Sequence, residues 1–212
     1  TIQGNYLGTY PSGMTYMPGT VTRLRADENA IDVTGQHSGI LQGSANYNYA
    51  FNSPAFSFDG SPGGLVQVAD APELNPTTGI TLEAWINPNS IPTSATEPSS
   101  PGTLIIGKAS AYELYLQKDT GKLLFRVAAG DFESNSIISE SQWTHVAASY
   151  DAATGFWQIL IDGFMDASGT ATPGLIGTSI APLQIGGLNS QGLSSSFFNG
   201  LIDYPTVYDR AL

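Results

Sequence analysis

The sequence predicts an all-β fold, a two-layer antiparallel β-sandwich, and three observations carry that expectation. Apolar and polar residues alternate with period 2 over much of the chain from about Val21 onward, the pattern of strands with one face buried. Clusters of Gly, Pro, Asn, Asp and Ser interrupt these runs roughly every 8–12 residues, the spacing of sandwich strands. The composition agrees: the chain is 41% hydrophobic with 24 Gly and 13 Pro, and only 12% of it is charged, about half the usual charged share.

The elements follow in chain order. Residues 1–20 stand apart as an extended arm or linker, with Tyr6, Tyr10, Tyr16, Met14 and Met17 set among turn formers and almost no charge. A free linker in water has few aromatics. The arm is therefore expected to pack as an extended segment, on its own domain or on a neighbouring subunit. Residues 21–212 form the domain. In the run Ile80–Ile86 the even positions Ile80, Leu82, Ala84 and Ile86 are apolar, and Thr81, Glu83 and Trp85 take the opposite face. Tyr112, Leu114 and Leu116 alternate with Glu113, Tyr115 and Gln117, and Leu123, Phe125 and Val127 with Leu124, Arg126 and Ala128. Trp157, Ile159 and Ile161 alternate with Gln158, Leu160 and Asp162. Lys118–Lys122 and Asp151–Gly155 read as hairpin connections. Asp162-Gly163 reads as a tight turn, because Gly accepts positive φ at little cost. Two long loops, residues 87–102 and 187–196, are rich in Pro, Gly and Ser.

Charge and composition exclude several functions. The 7 basic and 18 acidic residues give a net charge of −11, a field that repels phosphate backbones and anionic lipid, so nucleic acid is not expected as a partner. There is no cysteine for a disulfide or a thiolate metal site. No apolar run reaches the ~18 residues that span a bilayer, so membrane insertion is not expected. The chain opens at Thr1, as a processed protein or a segment of a longer one would.

Four segments read together carry a resemblance. Phe56-Ser57-Phe58-Asp59-Gly60 precedes the strand Leu65–Val68, and Ile80–Ile86 follows. Trp143–Asp151 then leads through Gln158–Gly163, and Asn199–Asp203 runs on to Val207–Leu212. With Asp32–Gly35 and Gly39–Leu41 as its opening, this ordered set resembles the laminin-G-like, concanavalin A-like jelly-roll domains of bacterial secreted proteins over residues 22–212. Pro205 departs from the family's pattern. Proline brings no N–H, so its strand should lie at an edge or be bulged there.

The resemblance implies an extracellular or cell-surface protein. It also implies a structural Ca²⁺ where the first part of the domain meets its last strand. The positions that transfer are Asp59 with Gly60, and Asp203, with Glu28 or Asp32 adding a carboxylate; oxygen ligands of this kind suit calcium. The alternative is that Asp59 opens a turn and Asp203 accepts backbone hydrogen bonds.

The fold does not fix the function. A glycosidase needs two carboxylates facing each other across a cleft. The acids Asp131, Glu133, Glu140, Asp70 and Glu73 read as loop-surface groups, and Glu83 and Glu113 stand alone on their strands. His37 and His145 are the only histidines, and no Gly-x-Ser-x-Gly elbow occurs. No catalytic residue is expected, and His145 reads as a packed structural group. For sugar binding, aromatic faces matter most. The candidates are Trp85 and Tyr115 on polar strand faces, and Phe197 and Phe198 beside the Ser-rich loop. The leading expectation is a non-catalytic binding or adhesion domain for polysaccharide or cell-surface glycan. The alternative is a structural subunit of a surface assembly joined through the arm, and a hydrolase ranks third.

Overall fold

A computed structural model describes residues 17–50, 53–94, 100–189 and 196–212. The described residues form fifteen strands and one 3-10 turn, Pro72–Leu74. The larger sheet is built from β1 (Thr20–Arg23), β3 (Asn46–Ala50), β4 (Ser53–Asp59), β6 (Gly79–Pro88), β11 (Thr144–Asp151), β12 (Phe156–Ile161), β13 (Phe164–Thr170) and β15 (Asn199–Tyr208). Its order is β13-β12-β11-β6-β15-β4-β3, with β1 also pairing β15. The smaller sheet holds β2 (Gly39–Gln42), β5 (Leu65–Val68), β7 (Gly102–Lys108), β8 (Tyr112–Gln117), β9 (Lys122–Val127), β10 (Gly130–Ile137) and β14 (Leu183–Ile185). Its order is β10-β9-β8-β7-β14-β5-β2. The named pairings are antiparallel in both sheets.

The core lies between the sheets and is made by the alternation itself. Ile80, Leu82, Ala84 and Ile86 of β6 are fully buried, as are Leu114, Leu116, Leu123 and Phe125 across the interface. Each of the Leu, Ile and Phe side chains among them contributes about 1.5–3 kcal/mol on burial. Phe132 stacks between Trp157 and Tyr150 at one end of this core, with centroids 4.7 and 6.2 Å away. Lys108 is fully buried, and its ammonium donates to Asp70 at 2.7 Å and to the carbonyl of Ala181 at 2.7 Å.

The turns read from the sequence sit between strands. Asp162 and Gly163 both have positive φ, 50° and 78°, and join β12 to β13. That is the double left-handed geometry a two-residue hairpin needs. Asp119 (φ 63°) and Gly121 (φ 71°) turn β8 into β9. Asp151 closes the turn into β12 by accepting the N–H groups of Ala153 and Thr154 at 2.9 Å.

The strand carrying Pro205 is bulged. Between Asp203 and Thr206, β15 has one residue more than β6 has between Trp85 and Glu83. Tyr204 takes φ 47° there. At this point β15 also exchanges its other neighbour, pairing with β4 through Ile202 and with β1 from Thr206. Proline's missing N–H thus falls at the hand-over between the two.

Of the arm expected over residues 1–20, residues 1–16 lie outside the described residues, as do 95–99 and 190–195 of the two long loops. Pro18 and Gly19 form a turn that leads into Thr20, the first residue of β1.

Candidate functional site

Register arranges the outward face of the larger sheet into rows, because residues directly opposite each other on neighbouring strands project to the same side. Trp85 alternates with core residues Ala84 and Ile86, so it points outward. Its register partners are His145 on β11 and Asp203 on β15. Asp162 closes this row at the hairpin end, where its carboxylate accepts the His145 N–H at 2.9 Å. The next row runs Leu160, Ala147, Glu83, Thr206, and the one beyond it Gln158, Ser149, Thr81, Tyr208. The last of these is strapped down by the end of the chain: Thr81 Oγ1 donates to the Arg210 carbonyl at 2.8 Å and accepts the Leu212 N–H at 3.1 Å. On the other side of Trp85 the face stays open, with Asn87, Leu201, Ser57 and Asn46 opposite one another across four strands and all at least partly exposed.

The Trp85 row is unusual in burying polar groups without fully satisfying them. His145 is only 4% exposed and its ring lies 5.3 Å from the half-buried ring of Trp85. Its Nε2 has no hydrogen-bond partner among the described residues and sits 3.9 Å from a Glu83 carboxylate oxygen. Burial pushes the His145 pKa below the usual histidine value, against the opposing pull of Glu83 and Asp162. Glu83 accepts from the Tyr208 hydroxyl at 3.2 Å.

Asp203 is 8% exposed. Its one side-chain hydrogen bond among the described residues is with the Tyr204 N–H, at 2.9 Å. Burial pushes its pKa up to about 6; that hydrogen bond and Arg23 and Arg25 oppose the rise, while Asp27 adds to it. The Arg23 guanidinium covers the Tyr204 ring at 4.8 Å and borders the row from β1. The row therefore combines a half-buried aromatic ring with the Asp203 carboxylate, which has acceptor capacity to spare.

Of the four aromatic candidates, Trp85 alone keeps part of its ring accessible. Tyr115 is 1% exposed, Phe197 4% and Phe198 0%, which corrects the expectation that they present a face to a ligand. Tyr115 does point away from the main core. The chain following β14, however, folds back over the outer face of the smaller sheet, and Leu104 donates its N–H to the Ser196 carbonyl at 3.0 Å. Leu188 then closes a second small cluster with Leu104, Tyr115 and Leu124. Phe198 is drawn into the core against Phe58, edge to face at 6.5 Å. Beside the Tyr115 cluster, Arg126 makes a two-pronged pair with Asp131 at 2.7 Å and approaches Glu113 at 3.6 Å, so this face satisfies its own charges.

The calcium positions do not fit one ion. Asp59 and Asp203 are not brought together: Asp59 pairs with Asn199, four residues before Asp203 on β15, a separation of roughly 13 Å along a strand. Asp59 accepts from Ser44 Oγ at 2.6 Å and from the Ser61 N–H at 2.9 Å. The Gly60 N–H donates to the Phe198 carbonyl at 3.0 Å. Asp32 is buried, and its carboxylate accepts the N–H groups of Arg23, Thr34, Gln36 and His37 together with the Thr34 hydroxyl. Those bonds fill the lone pairs a cation would need. Glu28 is exposed and accepts from the Tyr49 hydroxyl. Among the described residues no group of three or more His, Cys, Asp or Glu side chains could hold a metal ion.

Sequence reasoning missed His145 and Glu83 as members of one constellation, and Arg23 and Tyr204 with them. The period-2 pattern places Glu83 and Trp85 on one face, but only the register of β11 and β15 brings His145 and Asp203 alongside.

Comparison with known structures agrees with this architecture. Domain 4 of the extracellular arabinanase AbnA from Geobacillus stearothermophilus, in complex with arabinotriose, is 21% identical with a TM-score of 0.70; the match covers 91% of this chain and 93% of that one. The binding domain of Paraclostridial Mosquitocidal Protein 1 is 15% identical with a TM-score of 0.71 over 92% of this chain. A botulinum neurotoxin type C structure, described as depending on two ganglioside molecules for cell entry, is 16% identical with a TM-score of 0.68 over 92%. This chain spans about half the length of the two toxin chains, 49% and 48%. No curated protein matches it. The model of one family matches residues 59–212, most of the chain and all of the strands from β5 to β15, and the chain belongs to that family, the concanavalin A-like lectin/glucanase superfamily.

Proposed function

We propose that this domain is an extracellular, non-catalytic carbohydrate-binding domain whose sugar-facing surface is the outward face of the larger sheet around Trp85. The observation that carries the reading is the accessible Trp85 ring, flanked by Asp203 and His145 and continued by the half-exposed or exposed amides and hydroxyl of Asn87, Ser57 and Asn46. A flat aromatic ring packs against the C–H face of a sugar, and the amide and hydroxyl groups match its hydroxyls. The bound arabinotriose of the arabinanase domain and the ganglioside dependence of the type C toxin support the same class of partner. Glu83 and Asp203 share the face, but Glu83 is buried beneath the Tyr208 hydroxyl and beside His145, which suits a packed support better than one arm of an open acid pair.

The test is a screen of soluble plant, bacterial and animal oligosaccharides against the domain, followed by titration of each hit with Trp85→Ala. Loss of the ring should weaken binding by about tenfold or more, ~1.4 kcal/mol. Hits whose affinity is untouched by Trp85→Ala would refute the assignment of the surface.

A further inference from the structure

The Trp85 row carries the carboxylates of Asp203 and Asp162. Asp203 is buried with one bond to a carboxylate that can accept about four. His145, 4% exposed, holds an unpartnered Nε2 in the same row. Asp162 closes one end and Glu83 lies one row behind. No lysine or arginine side chain belongs to the row. Of the cations on its border, Arg23 lies over the Tyr204 ring at 4.8 Å and Arg25 is paired with Asp27 at 3.6 Å.

A carboxylate held out of water with too few partners is costly, and a donor that pairs with it removes that cost. A cation does so best, because Coulombic attraction grows as water is excluded and the Trp85 face adds a cation–π term. An anionic group placed here would meet Asp203 with no countercharge in the row. An N-acetyl group would offer Asp203 one neutral N–H in place of a charged ammonium and would add a carbonyl that the carboxylate cannot pair with.

Resting on the carbohydrate reading, we infer that the ligand seated beside Trp85 is an amino sugar, its ammonium directed at Asp203, and that the site discriminates against uronic acids.

The experiment is calorimetric titration of three trimers at about pH 6.5 in 0.15 M salt: a glucosamine trimer, its fully N-acetylated counterpart, and a galacturonic acid trimer. The amine should bind about tenfold or more tighter than the N-acetylated trimer, and the uronic trimer weakest. Asp203→Asn should bring amine and N-acetyl affinities within about twofold of each other. Glu73→Gln, which removes an exposed carboxylate outside the row, should leave the ratio unchanged and so excludes general attraction to an acidic protein. A uronic trimer that binds as tightly as the amine, or a ratio that survives Asp203→Asn, overturns the inference. The carbohydrate reading then still stands if Trp85→Ala weakens whichever trimers bind. Failure of every oligosaccharide to bind in a Trp85-dependent manner overturns both.

Discussion

Replacing Asp203 by asparagine removes a charge that the fold holds out of water. Burial pushes the native carboxyl to about 6 from an ordinary value of 3.8. Below pH 3.8 the group is protonated in both native and unfolded chains and has no effect on stability. Between the two values the unfolded chain ionises while the native one keeps its proton, so stability falls as pH rises. Above about 6 both are ionised and the native state carries the full penalty. At ~1.4 kcal/mol per pH unit, the interval makes a penalty of roughly 3 kcal/mol. Asparagine keeps an oxygen for the Tyr204 N–H and carries no charge. Asp203→Asn should therefore stabilise the domain by roughly 2–3 kcal/mol at pH 7 and by only about 0.5 kcal/mol at pH 4.

Urea denaturation of both proteins at pH 4, 5, 6, 7 and 8 measures this directly. The difference between them should open between pH 4 and 6 and then stay level. His145 works in the opposite sense: its lowered pKa makes the native state lose stability as pH falls below about 6.5. It does so in both proteins and cancels in the difference. A difference independent of pH, or an asparagine variant less stable than the parent at pH 7, would refute the account of Asp203 as a buried, underpaired carboxylate.

Two further outcomes follow from the packing. Gly186 has φ 76°, and a Cβ there would come within 2.3 Å of the Phe58 ring, while its N–H and C=O are tied to Ile105 and Phe198. Gly186→Ala should cost roughly 2–4 kcal/mol through left-handed strain and overpacking, read as a lower denaturation midpoint; a cost below about 0.5 kcal/mol would contradict that geometry. Calcium should leave the melting temperature of metal-free protein unchanged, because Asp32 is filled by hydrogen bonds and Asp59 and Asp203 stand apart. A rise with millimolar calcium that disappears in Asp59→Ala would show a site this geometry does not contain.

Most of the fold was legible because alternation, turn chemistry and burial agree. Every apolar even position of Ile80–Ile86 is fully buried, and Asp162-Gly163 forms the tight turn its residues favour. Alternation assigns a residue to a face but does not say what covers that face. Tyr115 lies on the side opposite Leu114 and Leu116, as read, and is buried all the same, because Leu188 arrives from 73 positions further along the chain. The sequence sets Phe198 beside the Ser-rich loop, as a ring open to a ligand. It immediately precedes β15, donates its N–H to the Gly186 carbonyl at 2.7 Å and packs into the core.

The candidate site depends on a break in alternation that the sequence marks only by Pro205. In an unbroken strand, residues of one parity share a face. On β15 the buried residues change parity: Ile202 faces the core before the bulge and Val207 after it. The extra residue lets both halves of the strand keep their apolar positions inside while Asp203 stays opposite Trp85 and Thr206 opposite Glu83. Without it, satisfying the core at Val207 would turn Asp203 into the core, or satisfying Ile202 would turn Val207 out to solvent. The same extra residue lifts Tyr204 into a left-handed conformation, where Arg23 from β1 can cover its ring. Bulges bend a strand and re-aim its side chains. Here the bulge holds a carboxylate against a tryptophan on an otherwise paired surface, and so the position where the sequence departs from the regular strand pattern is also the position that gives the outer face its chemistry.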